Sequence, residues 1–571
     1  MLDPIFDTEF AAGLYDERYR HKQLDRGWND TSRRVVTHPF KALIDVAPQR
    51  EHAALYAAAE RVYELHSQRK AIAGGRYLWA AGRPLHQVNN CVLLRCPDSR
   101  EGWATTSYNA EMALMTGAGI GVWYGDVREA GAPIEKTGGV ASGPLPKMRQ
   151  VNDTGRHIMS GGNRRSAIWA GLPWWHPDIF EFIVSKDYSD EIKALKKKDW
   201  NFPAPMDTTN ISVSLDDEFF YAYGHCTRDL STVRGEHVAP DGGKWETWAH
   251  RVYDTAIDHM LKHGEPGFTV DTGDKSDEVL RNACTEITSA DDSDVCNLGS
   301  LVLSRFDSPD QFGVALRDWV LFLTAGSVYS DVPYARVGEV RELNRRLGAG
   351  LMGVHEFIIR QGARYGSDEA LEVLEPYMRE YDRALEYAHE WQERLGLSLS
   401  KGASAIAPNG TIAIVAETTA SGDPFFSAAE SRQVKVGTPW GDTYRESIVV
   451  DPVARRLAAE GVDPSLIEDA HELALDPERR IRQQHFLQAY TDHAISSTVN
   501  LPHVITNPSE ARGMGDLLMK YLPGMRGITM YPNGARAGQP RTPVDLEWAL
   551  AQSGVIEDTS QDSCATGACS L

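Results

Sequence analysis

From Val88 onward the chain alternates short apolar runs with helical stretches and Gly-rich loops, and few architectures accept that alternation. CVLL from Cys91, GIGVW from Gly119 and NISVSL from Asn210 have strand length. Strands interleaved with helices predict an α/β fold. Residues 1–80 read instead as a helical region, because EHAALYAAAERVYELH, beginning at Glu51, carries an apolar stripe among good helix formers. Two amphipathic segments, 313–330 and 369–394, are expected as outer helices packed on strands. TIAIVAE, after the turn-forming Pro408-Asn409-Gly410, is compatible with a buried strand or with the first turns of a helix. A helix start would present free N–H groups to an anion.

At 571 residues the chain exceeds one simple core, so two or more lobes, or one large catalytic domain with appendages, are expected. Its formal charge of −21 argues against a general nucleic-acid-binding surface but leaves room for nucleotides, which need only local positive patches. The acidic start MLDPIFDTEF lacks the pattern of a secretory signal, and no stretch approaches a membrane span. Seven cysteines in such a length are not a disulfide scaffold, so a reducing cytoplasm is the expected compartment.

Those cysteines carry most of the chemical information. Asn282-Ala283-Cys284-Thr285-Glu286 sets an amide, a thiol and a carboxylate at alternate positions, on one side of the chain if it is extended. Such a cluster can hold a sugar by its hydroxyls, deliver a sulfur nucleophile or radical, and move a proton. The plain structural alternative is a polar turn around a core cysteine. Cys564 and Cys569 sit in SCATGACSL, which has no packing face. A thiol pair on a flexible tail can reduce a disulfide elsewhere by exchange, and Cys91 in VNNCVLLRC and Cys296 in DVCNLGS are the candidate clients.

Zinc is the rival use of thiols, but the only short spacings, Cys91 to Cys96 and Cys564 to Cys569, are not C-x2-C, and no metal is expected. Cys96 and Cys226 read as incidental. Among Gly-containing loops, TGAGIGVWYGDVR is neither a dinucleotide fingerprint nor a Walker loop. GGNRRSAIW offers two arginines to a nucleotide, or is a solvated turn. APNGT, Ala407 to Thr411, is a phosphate cradle or an ordinary turn.

Taken in order along the chain, RYLWAAG, NNC, GAGIGV, GGVASGPLP, GGNRRSA, HPDIFEFI, NISVSLDDEF, GEPG, NACTEI, CNLGS, APNGT, NLPHVITNP, YPNGARAGQP and the closing C-x4-C resemble a ribonucleotide reductase catalytic chain, in particular the class II, adenosylcobalamin-dependent enzymes. The resemblance implies a ten-stranded α/β barrel of two antiparallel half-barrels with a finger loop through its centre, preceded by the helical region. On this reading 1–80 is the helical region, 81–545 the barrel with its effector elements, and 546–571 a flexible redox tail. Cys284 would be the thiyl radical that removes the ribose 3′ hydrogen. Glu286 would be the base on the 3′-hydroxyl, and Asn282 would bind the sugar hydroxyls. Cys91 and Cys296 would protonate the leaving 2′-hydroxyl, reduce the sugar and end as a disulfide. Cys564 and Cys569 would then pass electrons from a thioredoxin-like reductant.

By the same resemblance Asn90 and Ala407, Pro408, Asn409, Gly410 and Thr411 would bind substrate. Asp98 with Gly162, Asn163, Arg164 and Arg165 would belong to the side that binds a deoxynucleoside triphosphate effector. A homodimer acting on diphosphates is expected, with no nucleic-acid or membrane partner and no ATP-cone control. Two departures stand out. The usual class II finger reads N-P-C-G-E, whereas this one has Ala283 and Thr285. A class I large subunit carries adjacent tyrosines near the corresponding C-terminal strand, whereas the chain reads Ile528-Thr529-Met530-Tyr531-Pro532, which favours a cofactor-generated radical.

Overall fold

The computed structural model describes residues 4–136, 138–158, 166–198, 202–225, 230–236, 238–438, 441–533, 541–551 and 556–557. Cys226, Gly162, Asn163, Arg164, Arg165, Cys564 and Cys569 lie outside the described residues. The apolar runs form strands where expected: β1 (Cys91–Arg95), β2 (Gly119–Trp123), β3 (Ile168–Pro173), β4 (Thr209–Asp216) and β5 (Gly267–Asp271). All five pair in parallel, in that order.

A second parallel set faces them. It comprises β6 (Asp294–Val302), β7 (Leu347–Met352), β8 (Thr498–Leu501) and β9 (Gly527–Pro532), with β6 beside β7 and β8 beside β9. Residues 403–406 fill the gap, bridging Ala349 to Ser404 and Ile406 to Ile495 in parallel. The halves meet at two antiparallel seams, β6 on β1 and β9 on β5, which close the ring with five members in each half. The short strand Ala71–Ala73 adds to β6 from outside. Strands covered on both faces have no reason to alternate polar and apolar residues, and β6 is buried at every position.

The N-terminal region folds as helices α1 (Glu9–Arg18), α2 (Trp28–Val46) and α3 (His52–Ser67). They share one apolar core with the second half-barrel, including Trp28, Phe40, Leu301, Trp319 and Leu351. The segment expected as an outer helix at 313–330 is α4 (Pro309–Tyr329), and it is not outer. It lies against α2 and α3 on one side and β6 and β7 on the other, and Trp319–Ser327 is buried throughout. Its apolar stripe is wide because it serves two layers. The 369–394 segment breaks into Asp368–Tyr381 and Ala384–Leu395. TIAIVAE resolves as helix α5 (Gly410–Ala416). Beyond residue 551, Ile556–Glu557 pairs with Val449 and Val450. No helix among the described residues is long and apolar enough to cross a membrane.

The finger is a hairpin inside this ring, Leu280–Arg281 paired with Thr288–Ser289. Its base is held by buried charge. Thr288 Oγ1 donates to Glu278 Oε2 at 2.6 Å and Ser289 Oγ to Asp294 Oδ2 at 2.6 Å. The Arg346 guanidinium joins both acids, Nη1 to Glu278 at 2.7 Å and Nε to Asp294 at 2.8 Å. Arg281, itself wholly buried, pairs with Asp271 on β5. Burial pushes the Glu278 carboxyl up, but the opposing charges of Arg346 and Arg526 and the hydrogen bond from Thr288 bring it down to about 2.

A depressed carboxyl stabilises the folded state above its ordinary value near 4.5 and loses that contribution as pH falls toward about 2. Removing Arg346 would strand two buried carboxylates, at a cost of about 3–5 kcal/mol. Arg346→Met is therefore expected to lower the stability measured by urea unfolding at pH 7 by that amount. The loss should be largest near neutral pH and shrink as pH falls and the two stranded carboxyls take up protons.

Candidate active site

The finger tip is organised by its own amide. Asn282 Oδ1 accepts from the Ile287 N–H at 3.0 Å, and the Asn282 carbonyl accepts from the Thr285 N–H at 3.1 Å. This tight return needs a left-handed corner, which Thr285 supplies at φ 69°. That conformation is unfavourable for a β-branched residue by about 1–3 kcal/mol. The backbone path expected of a glycine is thus kept by a threonine under strain. The barrel wall makes room through glycines. A Cβ on Gly121 of β2 would overlap the Arg281 carbonyl, and one on Gly119 would stand 3.0 Å from Ala283 Cβ and 3.1 Å from Cys91 Sγ.

Cys91 and Cys296 come together through the antiparallel seam. The register of β1 on β6 sets them directly opposite each other, where facing Cβ atoms are about 4.5–5.5 Å apart. Asn282 Nδ2 donates to Cys91 Sγ at 3.5 Å, tying the pair to the finger. Burial pushes the Cys91 thiol up to about 12, helped by the nearby Glu286 carboxylate, and the Asn282 hydrogen bond only partly opposes it. Cys296 is driven up by burial and then by Cys91 and Glu286. Both thiols therefore hold their protons at neutral pH.

Glu286 is 1 % exposed. Burial pushes its carboxyl up to about 7, against the hydrogen bond to Asn282, which lowers it. Its Oε2 has no hydrogen-bond partner. A carboxyl poised there suits proton exchange at neutral pH.

Cys284, half-buried, opens with Cys91 and Glu286 into a cleft that Asn90 and the whole loop Ala407–Thr411 also line. The loop is fixed by Asn409, whose Nδ2 donates to Ser300 Oγ at 2.9 Å and the Leu351 carbonyl at 3.2 Å. The first N–H groups of α5 lie beyond the reach of its internal hydrogen bonds. A larger cavity of about 270 Å³ adjoins the cleft, sharing Pro408 and Gly410. Phe425, Phe426 and Tyr531 are among its walls, and Asp423 pairs with Arg480 at 2.9 Å on its polar side.

Among the residues singled out from sequence, the structure thus gathers Asn90, Cys91, Asn282, Cys284, Glu286, Cys296 and Ala407–Thr411. Asp98 is not in the cleft; it follows β1 and pairs with Arg128 at 2.6 Å. Cys96 is buried in the apolar core outside the ring. Sequence reasoning missed Tyr19 and left Arg76 without a role, although both line the cleft. Arg76 carried a signal in RYLWAAG, and Tyr19 carried none. No metal was expected, yet Asp187, His259 and His263 bring ligand atoms within 4.8 Å of one another, away from the cleft-lining residues. The i, i+4 spacing of His259 and His263 on one helix was a readable signal, whereas Asp187, 72 residues before His259, was not.

Residues 89–396 match the family model described as ribonucleotide reductase, barrel domain, and the chain belongs to that family of oxidoreductases. It is 27% identical over 551 residues to a vitamin B12-dependent ribonucleoside-diphosphate reductase of Mycobacterium tuberculosis (strain CDC 1551 / Oshkosh), covering 87% of this chain and 75% of the relative. A Thermoplasma acidophilum protein of the same description is 27% identical over 573 residues, covering 89% and 71%. Among solved structures, the Actinobacillus ureae class Id ribonucleotide reductase alpha subunit superposes with a TM-score of 0.70 at 16% identity, covering 93% of this chain and 98% of that one. That likeness carries the fold.

If Glu286 is the base, turnover should rise with pH through about 7, following its deprotonation. Glu286→Gln should slow turnover about a hundredfold or more and abolish that limb. A pH–rate profile of both proteins checks this.

Proposed function

We propose that the chain is a class II enzyme, converting ribonucleoside diphosphates to 2′-deoxyribonucleotides with adenosylcobalamin as the radical source. The observation that carries the reading is the register of Cys91 against Cys296 beside the finger that bears Cys284 and Glu286. A dithiol reductant, a third thiol and a carboxyl near neutrality at one cleft are what reduction at the 2′-carbon requires.

The roles follow from that placement. Cys284, as a thiyl radical, takes the 3′ hydrogen atom while Glu286 takes the 3′-hydroxyl proton. The adjacent 2′-hydroxyl leaves as water with a proton from the Cys91–Cys296 pair, whose raised thiols retain it. Two electrons from that pair reduce the sugar, leaving a Cys91–Cys296 disulfide, and Cys284 returns hydrogen to the 3′-carbon. Ribonucleotide and dithiol thus become deoxyribonucleotide, water and disulfide. Asn282, bonded to Cys91 and associated with Glu286, orients both. A closed barrel keeps water and stray donors from the radical.

The vitamin B12-dependent description of the relatives supports the cofactor. The cavity beside the cleft, with both aromatic walls (Phe425, Phe426, Tyr531) and polar ones (Asp423, Arg480), would receive part of such a large, mixed polar and apolar group. When bound, adenosylcobalamin supplies the one-electron chemistry that converts the Cys284 thiol to a radical. Met530, where a class I chain would carry a second tyrosine, favours this over a separate radical-generating subunit.

The remaining parts of the reading are a cytoplasmic homodimer, a deoxynucleoside triphosphate effector bound on the side of Asp98 and residues 162–165, substrate held by Asn90 and Ala407–Thr411, and a thioredoxin-like donor acting through Cys564 and Cys569.

Anaerobic incubation with adenosylcobalamin, a thiol reductant and a ribonucleoside diphosphate is expected to yield the deoxy product without a second subunit. A requirement for a metal-containing partner would overturn the class. With a thioredoxin as donor, the Cys564→Ser, Cys569→Ser double variant should make about one product per active site, while dithiothreitol restores turnover. Unimpaired repeated turnover with the protein donor would remove the tail from the electron route.

A further inference from the structure

Tyr19 ends the first helix, seventy-two residues before Cys91 and outside the matched barrel domain, yet it lines the cleft with Cys91, Cys284 and Glu286. It is 2% exposed, and its phenol oxygen is buried with no hydrogen-bond partner. A buried hydroxyl left unpaired costs about 1–3 kcal/mol, a penalty that a bound ligand can remove.

What this hydroxyl can pair with follows from the other unpartnered atoms of the cleft. Asn90 Oδ1 and Glu286 Oε2 are also buried without partners, and an amide oxygen and a carboxylate oxygen accept. Both stand near the finger and Cys91, where sugar hydroxyls can donate to them. A phosphate presents acceptors only, and the phenol can donate.

The chain also fixes where the phenol stands. Glu417, just past α5, accepts from the Asp7 N–H at 3.0 Å and the Thr8 N–H at 2.8 Å and pairs with Arg69. The start of α1 is thereby tied to one end of α5, the two helices pack together, and Tyr19 shares the cleft with Gly410, Thr411 and Ile412 at the other end. We propose that the Tyr19 hydroxyl donates a hydrogen bond to the phosphate of the bound ribonucleotide, making the N-terminal helical region part of the substrate site. The inference rests on the reading above that the cleft takes a ribonucleotide.

Tyr19→Phe keeps the ring and removes only the hydroxyl. In the full chain, the dissociation constant of a ribonucleoside diphosphate, measured by calorimetric titration, should rise about tenfold or more, as expected for a lost hydrogen bond to a charged group. KM should rise in parallel, with kcat within about twofold and the melting temperature of the ligand-free protein equal or higher, because the unpaired hydroxyl is gone. Binding of the corresponding ribonucleoside, which has no phosphate, should be unaffected.

An unchanged dissociation constant for the diphosphate, or equal weakening of nucleoside and diphosphate, would overturn the proposal. Titration needs no turnover, so a wild type that binds the diphosphate but does not reduce it would sink the reductase reading and leave this test intact. A wild type that binds no diphosphate would sink both.

Discussion

The buried charge at the base of the finger is the constraint on which the remaining geometry depends. Glu278 and Asp294 hold Thr288 and Ser289 on the return strand, Arg346 holds both acids, and Arg281 with Asp271 fixes the outgoing strand to β5. Charges taken from water are costly unless paired on all sides, so the arrangement tolerates little displacement. A hairpin carrying a strained Thr285 can therefore stand inside a barrel. Were the base loose, the left-handed corner would relax and Cys284 would leave its place beside Cys91.

The same burial that makes this network necessary sets the protonation states at the tip. In the absence of a cationic partner, burial raises acids, and it raises both thiols and Glu286; a thiol starts high and so keeps its proton, whereas a carboxyl starts low and ends near neutrality. Asn282 moderates the effect at both Cys91 and Glu286. One environment thus yields two proton-holding thiols and one carboxyl that exchanges near neutrality. No metal is needed to separate their roles.

The helical region is structurally part of this machine. Its core is continuous with the second half-barrel, α4 being sandwiched between them, and the Glu417 contacts bind the start of the chain to the loop helix. Closing a ring of parallel strands leaves an outer apolar face that must be covered. The first half-barrel covers its own face with crossover helices such as Trp245–His263, whereas the second shares a core with the N-terminal helices.

Much of the fold was legible because it is local. The strands at Cys91, Gly119 and Asn210 and the helix after Glu51 follow from apolar spacing, and the Asn282–Glu286 motif follows from residue type. The ordered motifs carried the barrel as a resemblance. Periodicity could not say that α4 is covered on both sides, nor that TIAIVAE is a helix, because a short apolar run satisfies either backbone. Spacing could not pair Cys91 with Cys296, find Tyr19, or bring Asp187 to the His259 and His263 pair. By itself the sequence determined which groups are available and which local segments become strands or helices, since these depend on neighbours along the chain. Only the tertiary structure decided which groups meet and how they titrate, since ring closure, strand register and burial depend on contacts between distant segments.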